Sequence, residues 1–503
     1  MTFSSYERSL IVKIRALYIA MLLLPSVCLA KSSPGEKLSP ANLTHVIPDY
    51  RASLASLPPD YLLQEEKQLS GVMLRRYNLS SQVWSPQGAV SPERWQNGVD
   101  IYIPDFARTQ NALVVINNGT NRNASGSPVA PTNFSEDMLR RIAVATRTVV
   151  ISVSNVPNQS LSYQGAPSPL TEDDSVAYSW KLFLSEPLKY RNASLHIPMA
   201  ASVSQALRLA KKELTTQNIN KFIVTGASKR GWAAWLTALS DPDVSAVVPL
   251  AMDLLNTRTS LEHIYHSYGK NWPLAFYPYY MQGIDRQTDT DAFASLMTLE
   301  DPLAYLNAGT AERLNIAKYI INASGDDFYV PDNSHFYYDR LPGVRSLRVV
   351  PNASHNGILS VAEQSLVSFV NRYQEKRKLP GITEKIQDTG GEGKTLTVSF
   401  SEKPSSVLQW TARNPDARDF RYACGIKYSA TPVTPSASGE TFRIPLTTPD
   451  NGWQATYIEA TFSDGYVATT QVYITPDKYP ETAPPSSGAT CQTLPGRSST
   501  AHQ

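Results

Sequence analysis

Six short runs of β-branched and apolar residues recur at 113–117, 148–153, 221–225, 245–250, 318–322 and 346–350, typified by Leu113-Val114-Val115-Ile116. They are apolar along their whole length rather than at alternate positions, the pattern of strands covered on both faces. Helical patterns lie between them, among others at 174–184 and 199–214. Strand and helix in alternation specify an α/β domain with a mostly parallel sheet. Lys+Arg 46 against Asp+Glu 44 leaves a net charge of +2, which gives no electrostatic footprint for nucleic acid.

The pattern changes near Gly390-Gly391-Glu392-Gly393. Beyond it the helical signal stops, and strand-like runs at 395–401, 407–412, 420–427, 441–444, 454–462 and 466–474 read as an antiparallel, immunoglobulin-like β-sandwich. The expected domains are therefore 31–388 and 392–476. A tail at 477–503, rich in Pro, Ser, Thr and Gly, is expected to be loose.

Residues 1–30 combine Arg8, Lys13 and Arg15 with an apolar stretch at 16–24 and small residues up to Ala30, the three parts of a secretory signal. The stretch is shorter than the ~20 apolar residues of a membrane helix, so no span is expected after cleavage. Cleavage leaves Cys424 and Cys491, a parity that permits one disulfide between the tail and the second domain; two free buried thiols are the alternative.

The run at 222–225 leads into Gly226-Ala227-Ser228-Lys229-Arg230-Gly231, followed by a helical pattern from Trp232. Strand, small-x-Ser turn and helix form the setting of a nucleophile elbow, which lifts a serine to the carboxyl edge of the sheet beside a helix N-terminus. Arg230 stands where the common motif has glycine, and Gly231 follows one place later. In this fold an acid and then a histidine follow in chain order. His355, in the loop after the run at 346–350, is the expected general base. The acid is Asp326 or Asp327 in Gly325-Asp326-Asp327-Phe328; spacing to Pro331 favours Asp327, and the two stay open. Oxyanion donors would be the Lys229 N–H and the turn at 117–120, with Asn118 and Gly119. The Lys229 and Arg230 side chains suit either an anionic substrate or a solvated basic pair. A cap is expected at 256–311, where aromatics such as Tyr268 and Trp272 either line a substrate pocket or pack the cap on the sheet. No zinc spacing and no phosphate loop occurs, so no metal or cofactor is expected.

The chain resembles the PhoPQ-activated pathogenicity-related protein family. The residues that carry the likeness are Gly226-Ala227-Ser228-Lys229-Arg230-Gly231-Trp232, Val156-Pro157-Asn158-Gln159, Ala177-Tyr178-Ser179-Trp180, Gly325-Asp326-Asp327-Phe328, Asp419-Phe420-Arg421 and Gly452-Trp453-Gln454-Ala455. The resemblance implies an α/β-hydrolase domain with an immunoglobulin-like C-terminal domain, and secretion in a Gram-negative bacterium. It also implies a link to virulence regulation and resistance to host peptides. In the family pattern Asp326 stays Asp while the place of Asp327 is often Glu, which pulls against the spacing argument. A similar Ser-basic-x-Gly elbow occurs in glucuronoyl esterases. The expectation is a periplasmic or secreted serine hydrolase of small ester or peptide substrates. Its competitors are a non-catalytic binding or signalling protein on the same fold, and a peptidase acting on cationic peptides.

Overall fold

The structure, a computed structural model, describes residues 38–122, 126–308, 310–390, 393–435, 441–486 and 488–498. The secretory signal expected at 1–30 lies outside the described residues.

Nine strands form the central sheet: β1 (Asp60–Leu69), β2 (Val72–Val83), β3 (Arg94–Pro104), β4 (Asn111–Ile116), β5 (Val149–Val153), β6 (Lys221–Ala227), β7 (Val244–Leu250), β8 (Ala317–Ala323) and β9 (Arg345–Val350). Their order is β1-β2-β3-β5-β4-β6-β7-β8-β9. All pairings from β5 to β9 are parallel, and β1, β2 and β3 add an antiparallel wing. The six apolar runs all become strands. The wing went unread because its strands, half exposed along one face, lack a continuous apolar run.

Along the parallel strands successive side chains feed two separate cores. Ala112, Val114 and Ile116 enter one, with Ile151 and Val224; Leu113 and Val115 enter the other, with Val150 and Ile223. Helices α1 (Glu136–Thr146), α2 (Glu172–Ser185), α3 (His196–Glu213), α4 (Lys229–Ser240), α5 (Thr257–Ser267), α6 (Asp291–Glu300) and α7 (Ala362–Gln374) supply the cover. Residues of α3 and α4 fill the first core and those of α1 and α7 the second. Full burial of such a Val or Leu side chain contributes about 1.5–3 kcal/mol. This is the α/β-hydrolase-like architecture: a mixed sheet whose strand order steps back once, at β5 and β4. Between β7 and β8, in the segment where a cap is expected, lie α5, α6 and a short strand Asn271–Pro273.

The C-terminal part forms two antiparallel sheets. One joins β10 (Ile382–Gly390), β11 (Gly393–Phe400) and β14 (Thr441–Leu446). The other joins β13 (Ser429–Pro432), β12 (Ser406–Asn414), β15 (Trp453–Thr461), β16 (Val467–Thr469) and β17 (Tyr473–Thr475). Leu396, Val398 and Ile444 of the first meet Val407 and Ile458 of the second in a common core. Three expectations are corrected. The pattern change near 390–393 does not separate two domains, since β10 (Ile382–Gly390) pairs antiparallel with β11 (Gly393–Phe400) on either side of it. The run at 420–427 is not a strand: it contains a 3₁₀ turn at Tyr422–Cys424, with Arg421 N bonded to Asp419 Oδ1 and Tyr422 N donating to Gly325 O. The tail is not loose over its described length. Thr493–Pro495 pairs with the cap strand Asn271–Pro273, and Cys491 is bonded to Cys424 at 2.03 Å. Arg497 pairs with Asp285 and lies over the Tyr280 ring. Despite its low apolar content the tail is docked, because a covalent bond and a strand pairing supply what burial would not. Among the described residues no helix is long and apolar enough to cross a membrane.

Candidate active site

Ser228 sits between β6 and α4 at φ 57°, ψ −127°, a strained setting for a non-glycine residue. Its N–H donates to Leu250 O at 2.8 Å and its carbonyl accepts from Trp232 N at 3.0 Å, so the turn is pinned from both sides. Two glycines make the reversal possible. A Cβ on Gly226 would lie 2.6 Å from Arg230 O, and one on Gly231 would lie 3.0 Å from Gly226 O. The second glycine thus works from one place later than in the common motif. Lys229 opens α4, so its N–H has no acceptor within the helix and faces the end where negative charge is favoured.

His355 follows β9, and its Nδ1 lies 2.9 Å from Asp326 Oδ2 and 3.0 Å from Oδ1. Asp326, 2% exposed, follows β8 and also accepts from Phe328 N at 2.8 Å and Tyr329 N at 3.2 Å. The carboxylate is therefore fixed by main-chain donors, and it directs the Nδ1–H inward so that Nε2 is the atom left for chemistry. Burial pulls the imidazolium pKa down, but the Asp326 charge and hydrogen bond outweigh it and the pKa is raised above 6.5. The acid beside the histidine is Asp326. Asp327, which spacing favoured, lines the cavity instead. Burial raises its carboxyl above 3.8, with the neighbouring Asp326 charge adding to the rise.

Ser228 and His355 open on one cavity of about 190 Å³. Its walls are aromatic: Trp180 from α2, Trp232 from α4, Phe276 and Tyr279 from the cap, and Phe328 and Tyr329 from the acid loop. Phe276 stacks on Tyr279 with centroids 5.2 Å apart, and Trp180 meets Trp232 edge-on at 5.7 Å. The two indoles are oriented from below by buried Glu300, which accepts from Trp180 Nε1 at 3.0 Å through its side chain and from Trp232 Nε1 at 2.7 Å through its carbonyl. His196 Nδ1 lies 3.0 Å from the same carboxylate.

The basic pair is neither solvated nor, in the case of Arg230, turned to the cavity. Lys229 Nζ lies 2.9 Å from Glu172 and 3.0 Å from Asp173, at the start of α2. Arg230 is buried, with its Nη2 2.6 Å from Glu172 and its Nε donating to Val156 O at 2.5 Å. Burial alone would raise the Glu172 carboxyl, yet Lys229 and Arg230 bring it down to about 2. Glu172 is itself held at φ 50°, an unusual backbone setting retained where two cations fix the side chain. Reading Arg230 as a substrate contact is thus corrected: it clamps the elbow to α2. Glu172 and Asp173 were missed, and two acids followed by a helical pattern were the available signal for a partner to two adjacent bases.

Tyr268 and Trp272 do not line the cavity. Tyr268 is buried beneath the Arg421 guanidinium, and Trp272 stacks on Phe276 at 4.5 Å, supporting the wall from behind. Asn118 is not a free donor, because its N–H bonds Asn117 Oδ1 at 3.0 Å and its own Oδ1 accepts from Thr132 and Asn133. Gly119 adopts φ 108°, with Asn155 Oδ1 only 2.9 Å from where a Cβ would be, and is also absent from the cavity wall. Lys229 N–H is the oxyanion donor candidate that keeps its place.

The PhoPQ-activated pathogenicity-related protein family model matches residues 47–421. The chain belongs to this family. The chain is also similar to the autocrine proliferation repressor protein A of Dictyostelium discoideum, 29% identical over 437 residues, covering 80% of this chain and 85% of that protein. Solved structures with a similar fold include an acetyl xylan esterase from Paenibacillus sp. R4, at 14% identity and TM-score 0.44, covering 65% of this chain and 93% of that one. Acetyl xylan esterase 1 from Thermoanaerobacterium sp. JW/SL YS485 is similar at 15% identity and TM-score 0.41, covering 67% and 98%. A glucuronoyl esterase from Solibacter usitatus follows at 11% identity and TM-score 0.38, covering 68% and 95%. In this family member the elbow, the histidine loop and the acid loop all come from within the matched 47–421.

Proposed function

We propose that this PhoPQ-related chain is a serine hydrolase that cleaves small acyl esters by a Ser228–His355–Asp326 triad. The observation that carries the reading is that a strained elbow serine and a histidine held through Nδ1 by a buried carboxylate open on the same cavity. In the reaction, Ser228 Oγ attacks the carbonyl carbon while His355 Nε2 takes its proton. The oxyanion forms near the Lys229 N–H at the start of α4, and collapse expels the alcohol, which receives the proton from His355. Water, deprotonated by the same histidine, then releases the acyl group. A cavity of about 190 Å³ is below the ~300–1,000 Å³ of drug-sized ligand sites, which favours a short acyl or alcohol group.

Export from the cytoplasm, to the periplasm or beyond, belongs to the same proposal. It is supported by the signal-like residues 1–30 and by the Cys424–Cys491 bond, which persists in oxidising compartments. A role in virulence is what the family name suggests for this chain. The name of the Dictyostelium relative favours a second reading, a signalling protein on a hydrolase fold. The test is turnover of p-nitrophenyl acetate and butyrate by the mature protein: the hydrolase reading expects turnover that Ser228→Ala abolishes while the far-UV CD spectrum is unchanged. Equal rates in wild type and Ser228→Ala would favour the signalling reading.

A further inference from the structure

The two adjacent acids of the site have different partners. Asp326 is bound by His355 and two main-chain N–H groups. Asp327 lines the cavity and accepts from the main-chain N–H of His355, but among the described residues no side-chain cation forms an ion pair with its carboxylate. The cations nearby are already matched to other acids. Lys229 is held by Glu172 and Asp173, Arg230 by Glu172, and Arg421 by Asp419 at 2.6 Å. With His355 neutral, as a general base must be, the cavity wall carries Asp173 and Asp327 against Lys229, an excess of negative charge. The rest of the wall includes six aromatic residues, whose ring faces attract cations and offer no counter-charge of their own.

We propose that Asp327 is a specificity-determining residue, and that it receives the ammonium group of a small cationic acyl ester whose charge lies a few bonds from the carbonyl. The inference rests on the serine hydrolase reading of the same cavity. Partial burial and the Asp326 charge disfavour an isolated Asp327 carboxylate, and the His355 main-chain N–H and the His355 and Arg421 charges only partly offset them. A substrate cation seated among the rings adds to that offset, and a neutral substrate of the same shape does not.

The test compares acetylcholine with its neutral isostere 3,3-dimethylbutyl acetate, in wild type, Asp327→Asn and Asp327→Glu, alongside fluorophosphonate labelling of Ser228. The expected result is a preference of roughly tenfold or more in kcat/KM for acetylcholine, the equivalent of one modest charge interaction. That preference falls toward unity in Asp327→Asn, is kept in Asp327→Glu, and shrinks with added salt. Using the ratio of two esters cancels any effect of the substitution on His355. Equal turnover of both esters, or a preference unchanged in Asp327→Asn, overturns the assignment of Asp327 and leaves the hydrolase reading standing. Labelling of Ser228 without turnover of either ester also overturns it. Absence of labelling as well as turnover overturns the hydrolase reading itself.

Discussion

The two halves of the site are built by opposite means. The serine half is local: β6, two glycines and α4 make the elbow from contiguous residues, and one ion cluster from α2 braces it. The acid–histidine half is assembled from distance. The loops after β8 and β9 meet each other through His355 and Asp326 and are then held by the connection between β12 and β13. Tyr422 N donates to Gly325 O at 3.0 Å, one residue before the acid, and Asn352 exchanges hydrogen bonds with both main-chain groups of Tyr428. Two residues past Tyr422, Cys424 anchors the tail that pairs with the cap strand. The contrast teaches that the C-terminal part belongs to the scaffold of the proposed site, bracing the loop that carries His355 rather than hanging from it.

The largest effect expected from breaking this arrangement is at Asp326. Asp326→Asn leaves the shape but removes the charge that fixes the imidazole, and kcat for ester hydrolysis should fall by about 10⁴, as when a triad acid is neutralised elsewhere. The pH profile gives the sign: with Asp326 present the His355 pKa is raised, so kcat/KM should climb with pH through a value above 6.5. Residual activity in the variant should rise at lower pH than in wild type. Steady-state kinetics from pH 5 to 9 would measure both.

Next is the strap. Replacing Cys424 and Cys491 by serine opens a covalent loop with a sequence separation of 67, and chain entropy assigns such a closure about 4 kcal/mol. Urea unfolding should show that loss. If the C-terminal part supports the histidine loop, activity should fall well before global unfolding in the variant but together with it in wild type. Coincident loss in both would separate the C-terminal sheets from the site.

The smallest effect is expected on the serine side. Glu172→Gln leaves Arg230 without its carboxylate, for a cost of about 1 kcal/mol once the exposure of Glu172 is allowed for. Because the Glu172 carboxyl is lowered from 4.5 to about 2 in the fold, its contribution is present above pH 4.5 and disappears as pH falls toward 2. Thermal melts at pH 7 and pH 3 should therefore differ less in the variant than in wild type. Lys229, less neutralised, should also shift the acid limb of the rate profile downward, since its charge lowers the His355 pKa.

The same contrast explains what could be read in the sequence. Ser228 and its strand were legible because the elbow lies within a few residues, and His355 because it follows the last apolar run. The choice between Asp326 and Asp327 was not, since adjacent residues differ only in which way the loop turns them, and the main-chain donors of Phe328 and Tyr329 decide that. Arg230 and Lys229 were misjudged because their partners, Glu172 and Asp173, are over fifty residues upstream and meet them only in the fold. The docked tail was illegible for a related reason: composition records what a segment could bury, not the strand it pairs with.

The central claim is that Ser228 is an activated nucleophile. The most direct measurement is labelling of the mature protein with a small fluorophosphonate, followed by peptide mass spectrometry. The account predicts one adduct, on the peptide containing Ser228, formed fast in wild type and lost in both Ser228→Ala and His355→Ala. A folded wild-type protein that takes up no label, or takes it up equally when His355 is replaced, would contradict it.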